Sequence, residues 1–488
     1  MRNIFKTSII FGLILLTVGC SKQYLDPVPK TSVSDLLVFD TKDRVISQVN
    51  GMYAKMKVGN FLGGRYFVYN DVRAENFIPQ SSNLVTAFAT WNHSVVSSTN
   101  EVQNLWGAVY QAINTINLFN DNLEQYWTGG KLNNIISETE KNQFKSEALT
   151  LRAVCYFYLL QLYATPYNIG AGNNPGLPLR LKGMKSIGEN DLARSTVAEV
   201  YTQILKDLND AEAIAISDYD DPLLNTTRVH KNTIIALKTR VYLHMQNWAS
   251  VITEAQKIVS TSAPFSAPSG VANALNATYA GVFADPYTSM ESILSMPFTS
   301  TDGPGSQNGL PWYFAAPSNE SYFLNISAGS TYSQMDATDA RKLMMVKSDV
   351  NYYLGKYPDV TTNTNYAPVI RYAEVLLNYA EAIVRQGNAV TQTAVNLLNA
   401  VRIRSFPTGA YTLGSFGTVQ AFYDAILLER SMEFLGEGMR NLDLMRLGLT
   451  IPAKDGGAMG VVQAISSSSS NYFWPMPNTE MSQNKLLK

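Results

Sequence analysis

Residues 144–166, FKSEALTLRAVCYFYLLQLYATP, constrain this chain more than any other stretch. Phe144, Ala148, Leu151, Cys155, Tyr158 and Leu162 recur at alternating steps of four and three, which is one face of an α-helix. Val154, Phe157 and Gln161 widen that face, so the helix buries more than a narrow seam. Thr165-Pro166 ends it, because proline clashes with the preceding turn and disfavours α geometry just before itself. The design returns in 234–248, with Ile234, Leu237, Val241, Met245 and Trp248 on one side. It returns again in 371–385, with Tyr372, Leu376, Tyr379 and Ile383.

Each later helix has a partner. Ile252, Ala255 and Val259 follow Trp248, and Ala394, Leu398 and Val401 follow Gly387-Asn388. Helix, short polar turn, helix is the tetratricopeptide-type unit, which buries its apolar face by stacking on its neighbours. The fold expected is therefore mainly α, a superhelix of such pairs. From about 260 to 368 the character changes: Gly, Pro, Ser and Asn accumulate and helical period is lost. Aromatics cluster there, among them Tyr287, Trp312, Tyr313, Phe323, Tyr332, Tyr352 and Tyr353. A long irregular region in a helical protein carries binding more often than the scaffold does.

A formal net charge of −1 with 16% charged residues argues against a nucleic-acid surface. Twenty-seven tyrosines, with many Asn and Ser, suit neutral polar ligands. The two cysteines make no disulfide framework, and Cys155 sits on the apolar face as a core residue. Cys20 is different. Arg2 and Lys6 precede an apolar run over 9–16, too short to span a bilayer and suited to a signal peptide, 1–19. Leu16-Thr17-Val18-Gly19-Cys20 is similar to a bacterial lipoprotein box, with Thr17 standing where Leu is usual. The expectation is that Cys20 is the acylated first residue of the mature chain; the alternative is an ordinary secretory signal in which Cys20 is incidental.

Blocks further along the chain resemble the SusD/RagB family, the surface nutrient-binding lipoproteins of Bacteroidetes. They begin with Cys20-x-x-x-Tyr24-Leu25-Asp26, Asn50-Gly51-x-Tyr53 and Trp106-x-x-x-Tyr110-x-x-Ile113-Asn114. Glu147-Ala148-x-x-Leu151-Arg152-Ala153-x-x-Tyr156-Phe157 with Tyr163-x-x-Pro166 is the most recognisable line. Ser195-Thr196-Val197 and Arg371-Tyr372-Ala373-Glu374 follow in order. Glu429-Arg430-x-x-Glu433-Phe434-x-x-Glu437-Gly438-x-Arg440 and Asp443-Leu444-x-Arg446 come near the end. The resemblance implies four tetratricopeptide-like units packed against an irregular lobe with few short strands. It divides the mature chain into a helical region over 20–260, a ligand-side lobe over 261–368 and a C-terminal helical region over 369–488. It also implies a partner, a TonB-dependent SusC-type outer-membrane transporter, which receives captured oligosaccharide, or peptide in some branches. A helical-repeat scaffold with no small-molecule site is the remaining alternative.

Sugar C–H faces dock on aromatic rings while hydroxyls take bonds from polar groups at the ring edge. Two places fit that chemistry. One is 89–93, ATWNH, with Trp91 and Asn92, where the family often places a ligand tryptophan; Arg73 is a further polar partner. The other is 311–314, PWYF, with Trp312 and Tyr313. A catalytic reading has less support. Glu429, Glu433 and Glu437 share one helical face, whereas a glycosidase needs two opposed carboxyls, so interleaved arginines are expected to pair with them. His93, His230 and His244 have no metal-ligand spacing. No enzyme activity and no cofactor are expected.

Overall fold

The computed structural model describes residues 38–487, apart from 84, 86, 187–189 and 317–321. Its helices of seven or more residues, numbered in chain order, are α1 (Lys42–Met56), α2 (Arg65–Val72), α3 (Asn100–Thr128), α4 (Glu138–Tyr163) and α5 (Val197–Ile214). They continue as α6 (Lys231–His244), α7 (Trp248–Ile258), α8 (Tyr372–Gly387), α9 (Gln392–Ser405), α10 (Val419–Glu433) and α11 (Arg440–Arg446). α1 packs on α3, α4 on α5, α6 on α7 and α8 on α9, and each pair leans on the next. Four stacked helical pairs form the scaffold, each covering an apolar face that its neighbour would otherwise expose.

Local chemistry sets the helix ends. α4 starts at Glu138, before its apolar period, because Ser137 Oγ accepts the Glu140 N–H at 3.2 Å. The Glu140 carboxylate returns a bond from the Ser137 N–H at 2.9 Å. Its first turns are polar, so apolar spacing alone starts the helix six residues late. Nearly every side chain from Ser146 to Tyr163 is buried, and the Cys155 thiol, against Met56, is pushed up by burial. α5 begins where the Thr196–Glu199 spacing places it, on a second reciprocal cap. It packs on α4 across the long insertion, held by Arg152 Nε and Nη2 on the two Asp207 oxygens at 2.8 and 2.7 Å. Arg240 of α6 donates to Glu374 of α8 and, at 2.7 Å, to the Tyr158 hydroxyl of α4, so one guanidinium joins three pairs.

The irregular lobe uses short antiparallel strand pairs: β1 (Phe77–Pro79) with β3 (Tyr322–Leu324), β2 (Ser292–Met296) with β6 (Ala367–Arg371), and β4 (Val346–Ser348) with β5 (Asn351–Tyr353). β7 (Lys454–Asp455) and β8 (Val461–Val462) form a hairpin near the C-terminus. β2 and β6 are buried throughout, and β6 leads directly into α8. The tail returns to the body: Trp474 lies fully buried between Tyr69 and Tyr163, at ring distances of 5.2 and 5.6 Å.

The carboxylates of 429–443 form a buried ion-pair network, with partners other than spacing suggests. Glu429 pairs with Arg341 and Arg402, Glu433 with Arg371 and Arg404, and Glu437 with Arg371 and Lys356. Of the interleaved arginines, Arg430 and Arg446 share Asp443, and Arg440 reaches Glu75. α10 stops at Glu433, so Glu437 lies beyond the helix on a turn with Gly436 and Gly438 at positive φ. At Gly438 an added Cβ would stand 2.8 Å from the Phe67 Cα of α2, which is why a glycine is needed there.

Candidate functional site

Half-exposed aromatic rings gather on one face of the lobe. In the β1–β3 pair Phe77, Tyr322 and Leu324 turn inward, while Ile78 and its cross-strand partner Phe323 are half-exposed on the other side. β5 packs beside β3. The β4–β5 hairpin closes through Asp349, at φ +53, and Val350. Pairing sets Lys347 opposite Tyr352, and the Tyr353 hydroxyl accepts from the Gln80 amide beyond β1.

Tyr332 meets Tyr352 with ring centroids 5.1 Å apart and planes tilted by 41°. Both are half-exposed. The Tyr332 hydroxyl is raised above its ordinary range, first by burial and then by its bond with Tyr352. Lysines flank the pair: Lys342 Nζ lies 4.7 Å from the Tyr332 centroid and Lys347 Nζ 5.9 Å from that of Tyr352. The rings stand on fixed supports. The turn 331–334, which carries Tyr332, is capped by Ser330 and bonded to α10 through Thr331 and Ser431. The turn 340–343, which carries Lys342, is held by Arg341, whose fully buried guanidinium bonds Asp339 and Glu429. A pair of ring faces with hydroxyl and ammonium groups at the edge can stack a flat apolar surface and bond the hydroxyls around it. A second half-exposed pair, Tyr287 and Tyr366, has centroids 4.9 Å apart, with Asn365 Nδ2 donating to the Tyr287 hydroxyl at 3.0 Å.

The residues singled out from sequence fall elsewhere. Trp91 is fully buried, with its indole N–H on the Phe77 carbonyl and Lys454 Nζ 5.3 Å from its ring. It offers no face to a ligand. Arg73, 2% exposed, donates to the carbonyls of Asn471 and Tyr472 at 2.9 and 2.8 Å and so pins the tail. Burial lowers its guanidinium to about 10. Tyr313 is buried, its hydroxyl on the Gln307 carbonyl at 2.9 Å and pushed up to about 12 by burial. These three assignments are corrected: packing from distant segments covers all of them. Asn92 is half-exposed, donates to Ser94 Oγ at 3.4 Å and ends the turn 88–91. Trp312 is half-exposed on the turn 310–314, whose Phe314 carbonyl accepts from Leu354, just past β5. Of the five, Asn92 and Trp312 are half-exposed, and Trp312 lies on the turn bonded to the residue that follows β5. From sequence, Tyr332 and Tyr352 stand only as members of the aromatic cluster over 260–368 and not as site residues; the available signal for Tyr352 was a short strand, Asn351–Tyr353, set two residues after another, Val346–Ser348.

The histidines serve the framework. His93, half-exposed, sets its ring nitrogens 2.9 and 2.8 Å from the carbonyls of Gln463 and Arg73, and burial lowers it to about 4, so the neutral ring donates to one of the two. Among the described residues no three His, Cys, Asp or Glu converge as metal ligands do. Cys20 lies outside the described residues.

A SusD family model matches residues 307–488, and a second model, described as starch-binding and associating with the outer membrane, matches 23–243. A SusD-like protein from Formosa agariphila, P25, is 23% identical over 91% of this chain and 90% of its own. A SusD superfamily crystal structure from Bacteroides fragilis is 29% identical and covers 92% of this chain and 100% of its own, with a TM-score of 0.81. A laminarin-binding SusD-like protein shares the fold with a TM-score of 0.70 at 19% identity, over 92% of this chain and 98% of its own.

Proposed function

This chain belongs to the SusD family, and on that premise we propose that it binds oligosaccharide at the cell surface and passes it to a SusC-type TonB-dependent outer-membrane transporter. The observation that carries the reading is the tilted Tyr332–Tyr352 pair, two accessible rings on fixed supports flanked by Lys342 and Lys347. The laminarin-binding relative supports a glycan as the ligand. The family description supports the outer membrane as the place of work. Acylation of Cys20 supplies the anchor in this reading, and no helix among the described residues is long and apolar enough to cross a membrane. In this reading the protein captures its ligand without cleaving it, which the full burial of Glu429 and Glu433 against arginines supports.

Titration of the mature protein with laminari- and malto-oligosaccharides, and with peptides of similar mass, tests the proposal. Tyr332→Ala and Tyr352→Ala should each weaken saccharide binding about 5- to 30-fold, the loss of one stacking surface, with unchanged thermal unfolding. Peptide binding through the same two residues would establish the peptide-binding reading instead. Saccharide binding unaffected by either variant would remove this face from the function.

A further inference from the structure

Tyr287 and Tyr366 stand on the two segments that lead into β2 and β6, neither of which carries the Tyr332–Tyr352 pair. Their rings are half-exposed with planes tilted by 33°. Tyr287 holds its place at φ +63, a backbone region that an aromatic residue rarely enters. Such strain persists only where the surroundings impose it, so the ring is set before any ligand arrives. Asn365 braces it: its Oδ1 accepts the Asp359 N–H at 2.9 Å while its Nδ2 donates to the Tyr287 hydroxyl. Burial, and then the exposed carboxylate of Asp285, raises both tyrosine hydroxyls, which therefore stay protonated and able to donate.

The pair lines a cavity of about 10 Å³ together with Ser292, Ser295, Lys356 and Arg371. Residues three apart on a regular strand point to opposite faces. Register shifts in the β2–β6 ladder, between Ser292 and Leu294 and again between Leu294 and Ser295, bring both serines to the cavity. Pro368, opposite Ser295, has no N–H to close the ladder there. Both serines are buried, at 6% and 3% exposure, and neither hydroxyl bonds to a described residue. The two cations are already matched, Lys356 by Glu437 and Arg371 by Glu291, Glu433 and Glu437. The volume is about that of one water, so the cavity takes a single oxygen atom and no ring.

We propose that this is a second saccharide subsite, for a neutral sugar whose apolar face lies on Tyr287 and Tyr366 and whose hydroxyl or hydroxymethyl oxygen enters the cavity between Ser292 and Ser295. The two serine hydroxyls gain the partner that the protein does not give them. Asp285, which has no ion-pair partner among the described residues, accepts from a hydroxyl at the edge of the sugar and repels an acidic one.

The test first removes the other aromatic pair. Calorimetric titration of the Tyr332→Ala/Tyr352→Ala protein uses laminarihexaose and maltohexaose, with trigalacturonate as the acidic counterpart. At least one hexaose should still bind, more weakly than to the parent, and trigalacturonate should not. Adding Tyr287→Gly removes a ring at a position whose φ glycine adopts freely, so thermal unfolding is kept while binding falls about 3- to 10-fold. Adding Ser295→Val instead takes away one hydroxyl and fills the cavity with a residue suited to a strand, and should weaken binding by a similar factor. The proposal fails if the Tyr332→Ala/Tyr352→Ala protein binds neither hexaose while the parent does, which leaves the Tyr332–Tyr352 face as the saccharide site. It fails if either added substitution leaves binding unchanged, or if trigalacturonate binds as tightly as the hexaoses. Binding of neither hexaose by the parent would overturn both sites together.

Discussion

The indole N–H of Trp91 donates to the carbonyl of Phe77 at 2.8 Å, and so braces from within the strand whose next residue, Ile78, lies on the aromatic face. The ring fills its site completely: a Cβ on Gly456 would come within 2.5 Å of it. Trp91 thus supports the candidate site without touching a ligand. Trp91→Phe removes the bond and leaves a void, and should destabilise the protein by about 2–4 kcal/mol in urea unfolding. Saccharide affinity measured on the fraction that remains folded should change far less than in Tyr352→Ala. A variant with parental stability and lost binding would return Trp91 to the ligand.

The helical pairs were legible because burial on a helix repeats locally. Phe144 to Leu162 announces its face from spacing alone, and Thr196 with Glu199 announces a helix start within four residues. The exposure of an aromatic in a loop has no local signature. Trp91 is covered by Gly456 and Lys454, and Arg73 by Asn471 and Tyr472, all from the far end of the chain. The Tyr332–Tyr352 pair exists only because the β4–β5 hairpin folds Tyr352 back toward the 331–334 turn. The ion pairs of Glu429, Glu433 and Glu437 were misassigned for the same reason: their arginines at 341, 371, 402 and 404 are neighbours in space and not in spacing.

In the proposed function Cys20 is the anchor. If it is the acylated first residue, the full-length chain expressed in a Bacteroidetes host should partition with outer-membrane vesicles, and Cys20→Ala should move it to the soluble fraction. The Cys20→Ala protein should bind oligosaccharide as the parent does, since every residue of the aromatic face is unchanged in it. Equal partitioning of both forms would show that Cys20 carries no anchor.

Asp71 gives stability an unusual slope with pH. It is fully buried on α2, accepts the Gly438 N–H at 2.7 Å, and burial raises it to about 8 against the pull of that bond and of Lys356. In the unfolded chain it titrates near about 3.9. Between about pH 4 and 8 the folded state keeps a proton that the unfolded state has released, so stability falls as pH rises through this window and then levels off. Glu101, raised to about 7 by burial, acts in the same direction. Asp71→Asn retains an acceptor for Gly438 and carries no charge. It should match the parent near pH 4.5 and exceed it by pH 8, by at most about 1.4 kcal/mol per pH unit between. Urea unfolding at the two pH values measures this; a constant gap between the two proteins would show that Asp71 is not protonated in the fold.

Arg371 is where the network bears most. Its guanidinium bonds Glu437 at 2.8 Å and Glu433 at 3.0 Å and also pairs with Glu291, all three carboxylates being buried. Arginines hold Glu433 well below the usual carboxylate range, and Arg371 with Lys356 lowers Glu437. Carboxylates so depressed stabilise the fold above their unfolded pKa near 4.3, and that contribution is lost as pH falls toward their folded values. Arg371→Leu leaves buried negative charge without its cation and should cost about 3–5 kcal/mol. It should also bring the onset of acid unfolding to higher pH, because the carboxylates it served take up protons sooner. The exposed Lys206–Asp210 pair is the comparison: Lys206→Ala should change stability by about 0.5 kcal/mol or less and leave the acid limb in place. The aromatic face should follow Arg371 as well, since the turn carrying Lys342 is fastened through Arg341 to Glu429 and Glu433 of the same cluster. Saccharide affinity of Arg371→Leu should therefore weaken as pH is lowered before global unfolding begins. Parental acid stability in that variant would mean the network is neutralised by groups other than Arg371.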